Sequence, residues 1–182
     1  MKSIDNSFLT DKINLIAGTD EAGRGPLAGP VVAASVVFPP RIRIYGVNDS
    51  KQLTEEEREE LLPKILSRAL SISVSVISHK QIDRINILQA SLLAMSTSIN
   101  RLKVKPDLIL VDGNKKFPSI VPAIPLIDGD ARSFAVVANQ ILAQFRREVR
   151  AMSSSNEGRE EFGRTSTLRR KSMIRKYSVL AS

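Results

Sequence analysis

Apolar and polar positions along this chain fall into two periods. Ile13–Thr19 and Val31–Phe38 are short runs rich in β-branched residues and bounded by glycine or proline, which predicts strands. Ile72–Ile77 alternates with serine in SISVSVIS, the period of a half-buried strand. Leu108–Val111 is a continuous apolar run that fits a buried strand ending at Asp112-Gly113. Ala123–Ile127 predicts another, ending at Asp128-Gly129-Asp130. The helical period appears three times. Thr54 followed by Glu57 matches a capping box, opening a helix with Leu61, Leu62, Ile65 and Leu66 that Pro63 is expected to kink or divide. Leu88, Leu92, Met95, Ile99 and Leu102 mark a long packed helix. Phe134, Val137, Ala138, Ile141, Leu142, Phe145 and Val149 mark the last one. Strands and helices in this mixed order imply a three-layer α/β domain.

Composition narrows the chemistry. The chain has 182 residues, no cysteine and one histidine, His79. That length suits a single domain with a real core. Disulfides and thiolate sites are excluded, and His-rich zinc sites with them, so any metal must be held by oxygen. The first residues, MKSIDNSFLTDK, lack the apolar core of a secretory signal, and the apolar stretch around Leu27–Phe38 is too short to span a bilayer. A cytoplasmic location is expected. The formal charge of +8 makes a polyanion the first partner to consider, nucleic acid ahead of membrane. Residues 1–148 carry +3 of it and residues 149–182 carry +5. The expected organisation is a domain over residues 1–150 and a Ser/Arg-rich basic tail, poorly ordered, over residues 151–182.

Three predicted strands finish in carboxylates: Asp20-Glu21, Asp112, and Asp130 with Asp128 beside it. Ligands of open α/β sheets gather beyond strand ends. Taken singly, each acidic end is an ordinary turn. Taken together, they suit a pair of divalent cations acting on a phosphodiester, chemistry that needs acidic side chains from several segments. Because neighbouring strand residues face opposite ways, Asp20 and Glu21 can enter one site only if Gly23-Arg24-Gly25-Pro26 ends the strand and bends it there. Gly23-Arg24-Gly25 is either a simple turn or a nest of backbone N–H groups with Arg24 ready for phosphate. Ser50 and Lys51, in Asp49-Ser50-Lys51, sit either in a solvated turn or in a phosphate-holding loop.

Together these segments resemble the ribonuclease HII family. GTDEAGRGPLAGPVVAASVV over Gly18–Val37 is similar to the family's opening block almost without a gap. NDSKQL at Asn48–Leu53, the helix from Asn86 to Met95, VDGN at Val111–Asn114 and Gly129-Asp130 follow in the family's order. The resemblance implies a ribonuclease H-like α/β fold, a five-stranded mixed sheet flanked by helices. It implies an endonuclease that cleaves the RNA strand of RNA–DNA hybrids and incises DNA at embedded ribonucleotides, with 5′-phosphate and 3′-hydroxyl products. Asp20, Glu21, Asp112 and Asp130 would be the catalytic, metal-holding residues, with two Mg²⁺ or Mn²⁺ ions as cofactors. Gly23, Arg24 and Gly25 would read the ribonucleotide's 2′-hydroxyl, and Ser50 and Lys51 would bind phosphate. The implied partner is the hybrid or ribonucleotide-containing duplex, with no obligate protein partner and no membrane.

The likeness, followed motif by motif, stops near residue 150. Asp128 stands where the family usually carries lysine, as does Gln144, and Arg147-Glu148 replaces Arg-Asp. If the strand of Ala123–Ile127 continues, Asp128 shares a face with Asp130 and adds negative charge beside the metals. The family's His-Lys-Gly-Tyr segment has no counterpart. The rival expectation is therefore a weakened or inactive member that only binds nucleic acid.

Overall fold

The computed structural model describes residues 4–23, 29–47, 53–114, 119–129 and 133–154. Five strands form one mixed sheet: β1 (Ile16–Ala22), β2 (Val31–Val37), β3 (Ser71–Ile77), β4 (Leu108–Asp112) and β5 (Ala123–Leu126), in the order β3-β2-β1-β4-β5. β2 is antiparallel to both its neighbours, β1 and β3, while β4 runs parallel to β1 and β5 parallel to β4. The four α-helices among the described residues are α1 (Glu55–Arg68), α2 (His79–Ile85), α3 (Ile87–Asn100) and α4 (Phe134–Ser154). Helix α3 covers one sheet face, against Ala17, Ala33, Ile109 and Val111. Helices α1 and α4 cover the other, against Val32, Ala34 and Val36. The expected three-layer arrangement is present.

Several local expectations change. β1 begins and ends later than Ile13–Thr19, because its ladder with β2 continues from Ala17↔Val37 through Asp20↔Ala34 and Glu21↔Ala33 to Ala22↔Val32. Pro63 lies inside an undivided α1. Its missing N–H costs about 3 kcal/mol. Burial of Leu61, Leu62 and Ile65, at roughly 1.5–3 kcal/mol each, outweighs that. The capping box at Thr54 is present in full, with Glu57 N–H on Thr54 Oγ1 and Thr54 N–H on Glu57 Oε2.

β3 reverses the expected sense of its alternation. Ser71, Ser73 and Ser75 are buried, while Ile72, Val74 and Val76 are half-buried against the α1/α4 side. Both faces of this edge strand are covered. Helix α3 turns a face of small residues inward, with Ala90, Ser91, Ala94 and Ser98 buried beside Met95 and Ile99. Leu88 and Leu92 fall to its flank. Small side chains on both partners let helix and sheet approach closely. The gap holds a hydroxyl chain: Thr19 Oγ1 donates to Ala34 O at 3.0 Å, Ser35 Oγ donates to Thr19 Oγ1 at 3.0 Å, and Ser35 and Ser98 Oγ share a hydrogen bond.

Helix α4 is seated by two devices. Ser133 Oγ accepts from Val136 N–H, and Asp5 Oδ2, from the first turn of the chain, accepts from Ala135 N–H at 3.0 Å. A carboxylate suits a helix N-terminus. Gly18 then allows near-contact with β1, since a Cβ there would stand 2.5 Å from the Ala135 carbonyl carbon. The helix runs to Ser154, past the domain boundary expected at residue 150. Residues 155–182, most of the expected tail, lie outside the described residues.

Candidate active site

Asp20 and Asp112 come to adjacent strand ends. The parallel register of β1 and β4 is last paired at Thr19↔Val111, and each aspartate is the next residue of its strand. Gly18, on the same face of β1 as Asp20, lies against α4. Leu110, on the same face as Asp112, packs with Val136 of α4. Period-2 alternation therefore puts both carboxylates on the α4 side of the sheet. Asp20 is 4% exposed, and its Oδ1 accepts Glu21 N–H at 2.7 Å. Asp112 is half-buried, and its Oδ1 accepts Gly129 N–H at 3.0 Å. Gly129 must be small: a Cβ would stand 2.8 Å from that oxygen.

Glu21 is half-buried at the same end of β1, one residue further along an unbroken ladder. It therefore faces away from Asp20. Gly23, the first residue of the run expected to bend the chain, has φ +107°, but it lies just past the end of β1 and too late to turn Glu21 beside Asp20. The reason is the β1–β2 pairing, which holds the backbone extended as far as Ala22↔Val32.

Asp128 corrects a second expectation. β5 stops at Leu126, and Asp128 is exposed in the following turn with φ +55°. Aspartate tolerates that left-handed backbone better than most residues. Because β5 ends at Leu126, Asp128 is not carried on a strand face at all. Asp130, Arg24, Gly25, Ser50 and Lys51 lie outside the described residues, and of the Gly-Arg-Gly turn only Gly23 is described.

Sequence reasoning treated Gly129 as a turn residue and missed it as the donor that orients Asp112. The run Asp128-Gly129-Asp130 was the available signal. It likewise passed over Asp107, whose Oδ2 accepts N–H from Asn14 and Leu15 at 2.9 Å each, tying the entry of β1 to the start of β4. Those two bonds hold the Asp107 carboxyl below the ordinary aspartate range.

Among the described residues, no three His, Cys, Asp or Glu side chains form a metal-holding group. The donor chemistry at the strand ends nevertheless fits a hard cation. It is all oxygen, with a buried carboxylate at Asp20, and an ionised carboxylate is costly to bury unless hydrogen-bonded, paired or coordinated. His79 is exposed at the first turn of α2. Among the described residues, no helix is long and apolar enough to cross a membrane.

A five-stranded mixed sheet of this order, flanked by helices and ending in carboxylates on adjacent parallel strands, is a ribonuclease H-like domain. A solved ribonuclease H2 from Pyrococcus horikoshii superposes with a TM-score of 0.70 at 30% identity, over 90% of this chain and 86% of that one. Ribonuclease HII from Archaeoglobus fulgidus, solved in complex with PCNA, superposes with a TM-score of 0.65 at 26% identity, over 92% and 90%. The ribonuclease HII family model matches residues 17–179, and the chain belongs to that family. The match runs well beyond residue 150, where the motif-by-motif likeness stops.

Curated relatives agree. Ribonuclease HII of Lactobacillus gasseri is 49% identical over 137 residues, 75% of this chain. That of a Geobacter species is 49% identical over 133 residues, 73% of this chain. The chain spans 54% and 58% of those two proteins' lengths.

Proposed function

We propose that this chain is the catalytic part of an endoribonuclease that cleaves the RNA strand of RNA–DNA hybrids and incises DNA at embedded ribonucleotides, leaving 5′-phosphate and 3′-hydroxyl ends. One observation carries the proposal: Asp20 and Asp112 follow the last paired residues of adjacent parallel strands, on one sheet face, in a ribonuclease HII family chain. Asp20, Asp112 and Asp130 would hold two divalent ions, Mg²⁺ or Mn²⁺, which supply charge stabilisation at the phosphate and acidify water, while Glu21, turned to the other side of β1, would act through the backbone N–H it gives to Asp20.

The chain's own part is orientation. The N–H groups of Glu21 and Gly129 each fix one carboxylate oxygen before substrate arrives, so little ordering remains to be done. Gly23, Arg24 and Gly25 would take the 2′-hydroxyl and its phosphate, and Ser50 and Lys51 a phosphate along the strand. The partner is a nucleic-acid duplex.

The test is incision of a duplex carrying one ribonucleotide. Cleavage 5′ to that nucleotide with Mn²⁺ or Mg²⁺, abolished by chelator and by Asp20→Asn, is expected. Of the features that favour a second reading, a weakened member that binds without cutting, the structure describes Asp128, exposed beside Gly129 where the family usually carries lysine. Retention of the intact duplex at every metal concentration would establish that reading and refute the first.

A further inference from the structure

Residues 38–47, FPPRIRIYGV, and the second half of α1, residues 61–68, together carry four cations, Arg41, Arg43, Lys64 and Arg68, and no carboxylate. The two stretches are joined. Arg68 Nη1 donates to Arg43 O at 2.9 Å, and Gly46, at φ +91°, lies so near Leu61 that a Cβ would stand 3.1 Å from its Cδ2. Buried Ile44 and Val47 pin the segment to the core, and between them Tyr45 is 91% exposed. Its ring is thus held out to water on an anchored backbone. An exposed aromatic ring on a segment joined to a helix end, the two carrying only cations, is a surface on which a base or sugar stacks while neighbouring phosphates are neutralised. Exposed Glu56 and Glu60 lie in the first half of α1, so the basic surface is confined to its second half.

Its position suits the same duplex. Leu70 N–H donates to Val37 O at 2.8 Å, which puts the C-terminal end of α1 at the Val37 end of β2. Ala34, paired with Asp20, is three residues away along that strand, about 10 Å. Segment 38–47, α1 and α4 share the core on the sheet face that carries Asp20 and Asp112. Val37 pairs with Ala17, so this end of β2 points away from Asp20, and the patch lies at least about 10 Å from it, about three nucleotide steps or more.

We propose that Tyr45, with Arg41, Arg43, Lys64 and Arg68, is a second contact surface for the substrate duplex, holding its backbone a few base pairs from the bond that is cut. This rests on the nuclease reading and adds a contact outside its strand-end site.

The test is duplex binding by fluorescence anisotropy in an Asp20→Asn background, using a ribonucleotide-containing duplex of about two helical turns. Tyr45→Ala weakens binding about 5-fold or more, and Tyr45→Phe restores it. The double variant Arg43→Gln/Lys64→Gln weakens binding and lowers the salt slope by about 0.9 per cation removed. Trimming one flank or the other to about two base pairs, short of the patch, erases the effect of both variants for one of the two trimmed duplexes. All three side chains are exposed, so melting temperatures stay at the parent's value. Binding of the long duplex within twofold of the parent's, or equal losses on both trimmed duplexes, overturns the proposal while leaving the nuclease reading intact. Failure of the parent to bind any duplex refutes both.

Discussion

Gly129 donates its backbone N–H to Asp112 Oδ1 at 3.0 Å, and a Cβ on Gly129 would stand 2.8 Å from the same oxygen. The residue that orients this carboxylate is therefore also the one whose smallness makes room for it. Gly129→Ala displaces the carboxylate, because the added carbon is also confined by Leu126 at 3.3 Å and Val136 at 3.4 Å. Incision should fall about 100-fold, the scale of a misplacement of roughly 1 Å. A cleavage assay beside a melting curve checks it. Wild-type turnover would contradict the proposed role of the Gly129–Asp112 bond.

Gly18 is under a harsher constraint. The carbon added in Gly18→Ala meets the Ala135 carbonyl carbon and Asn139 Nδ2, both at 2.5 Å. Helix backbone cannot give as a flexible side chain can, so α4 must lift from β1. The expected destabilisation is about 1–3 kcal/mol or more, read from urea unfolding midpoints.

Asp107 makes stability depend on pH in a definite direction. Its carboxyl is held below the ordinary aspartate value by the N–H groups of Leu15 and Asn14. The folded state therefore gains from this group at any pH above the ordinary aspartate value, and that gain disappears as pH falls through the lowered one. Asp107→Ala should melt below wild type at neutral pH, and the two curves should converge in strong acid. A difference that persists unchanged at low pH would show that the carboxylate's charge is not the cause.

Asp128 tests what a reversed charge does beside the site. Asp128→Asn removes the charge and keeps a residue suited to φ +55°. It should leave melting unchanged and raise duplex affinity at low salt, an effect that fades as salt screens it. Asp128→Lys should raise affinity and activity further while costing about 1–2 kcal/mol in the left-handed turn. Unchanged or lower affinity in both variants would remove Asp128 from any account of binding.

The apolar patterns predicted the strands that carry the site because burial on both faces leaves little choice of element. Val31–Val37 and Leu108–Val111 are examples, buried throughout. What misled was chemistry that depends on a neighbour. In SISVSVI the serines face inward because α3 presents Ala90, Ala94 and Ser98 to that side of the sheet. Pro63 is tolerated because Leu61, Leu62 and Ile65 have a core to enter. Neither partner is visible in a local window.

By itself, the amino-acid order determined the family resemblance, the α/β class, the oxygen-only donor chemistry and the candidate residues, since these depend on side-chain type and on periods of two or 3.6. The tertiary structure decided which candidates meet. Asp20 and Asp112 are joined by the parallel register of β1 with β4, a pairing of segments about ninety residues apart that no local signal encodes. It also turned Glu21 to the other side of β1, by carrying the β1–β2 ladder on to Ala22. Strand pairing is set by the hydrogen bonds and packing of the whole sheet, so geometry at the strand ends follows from the fold and not from the motif.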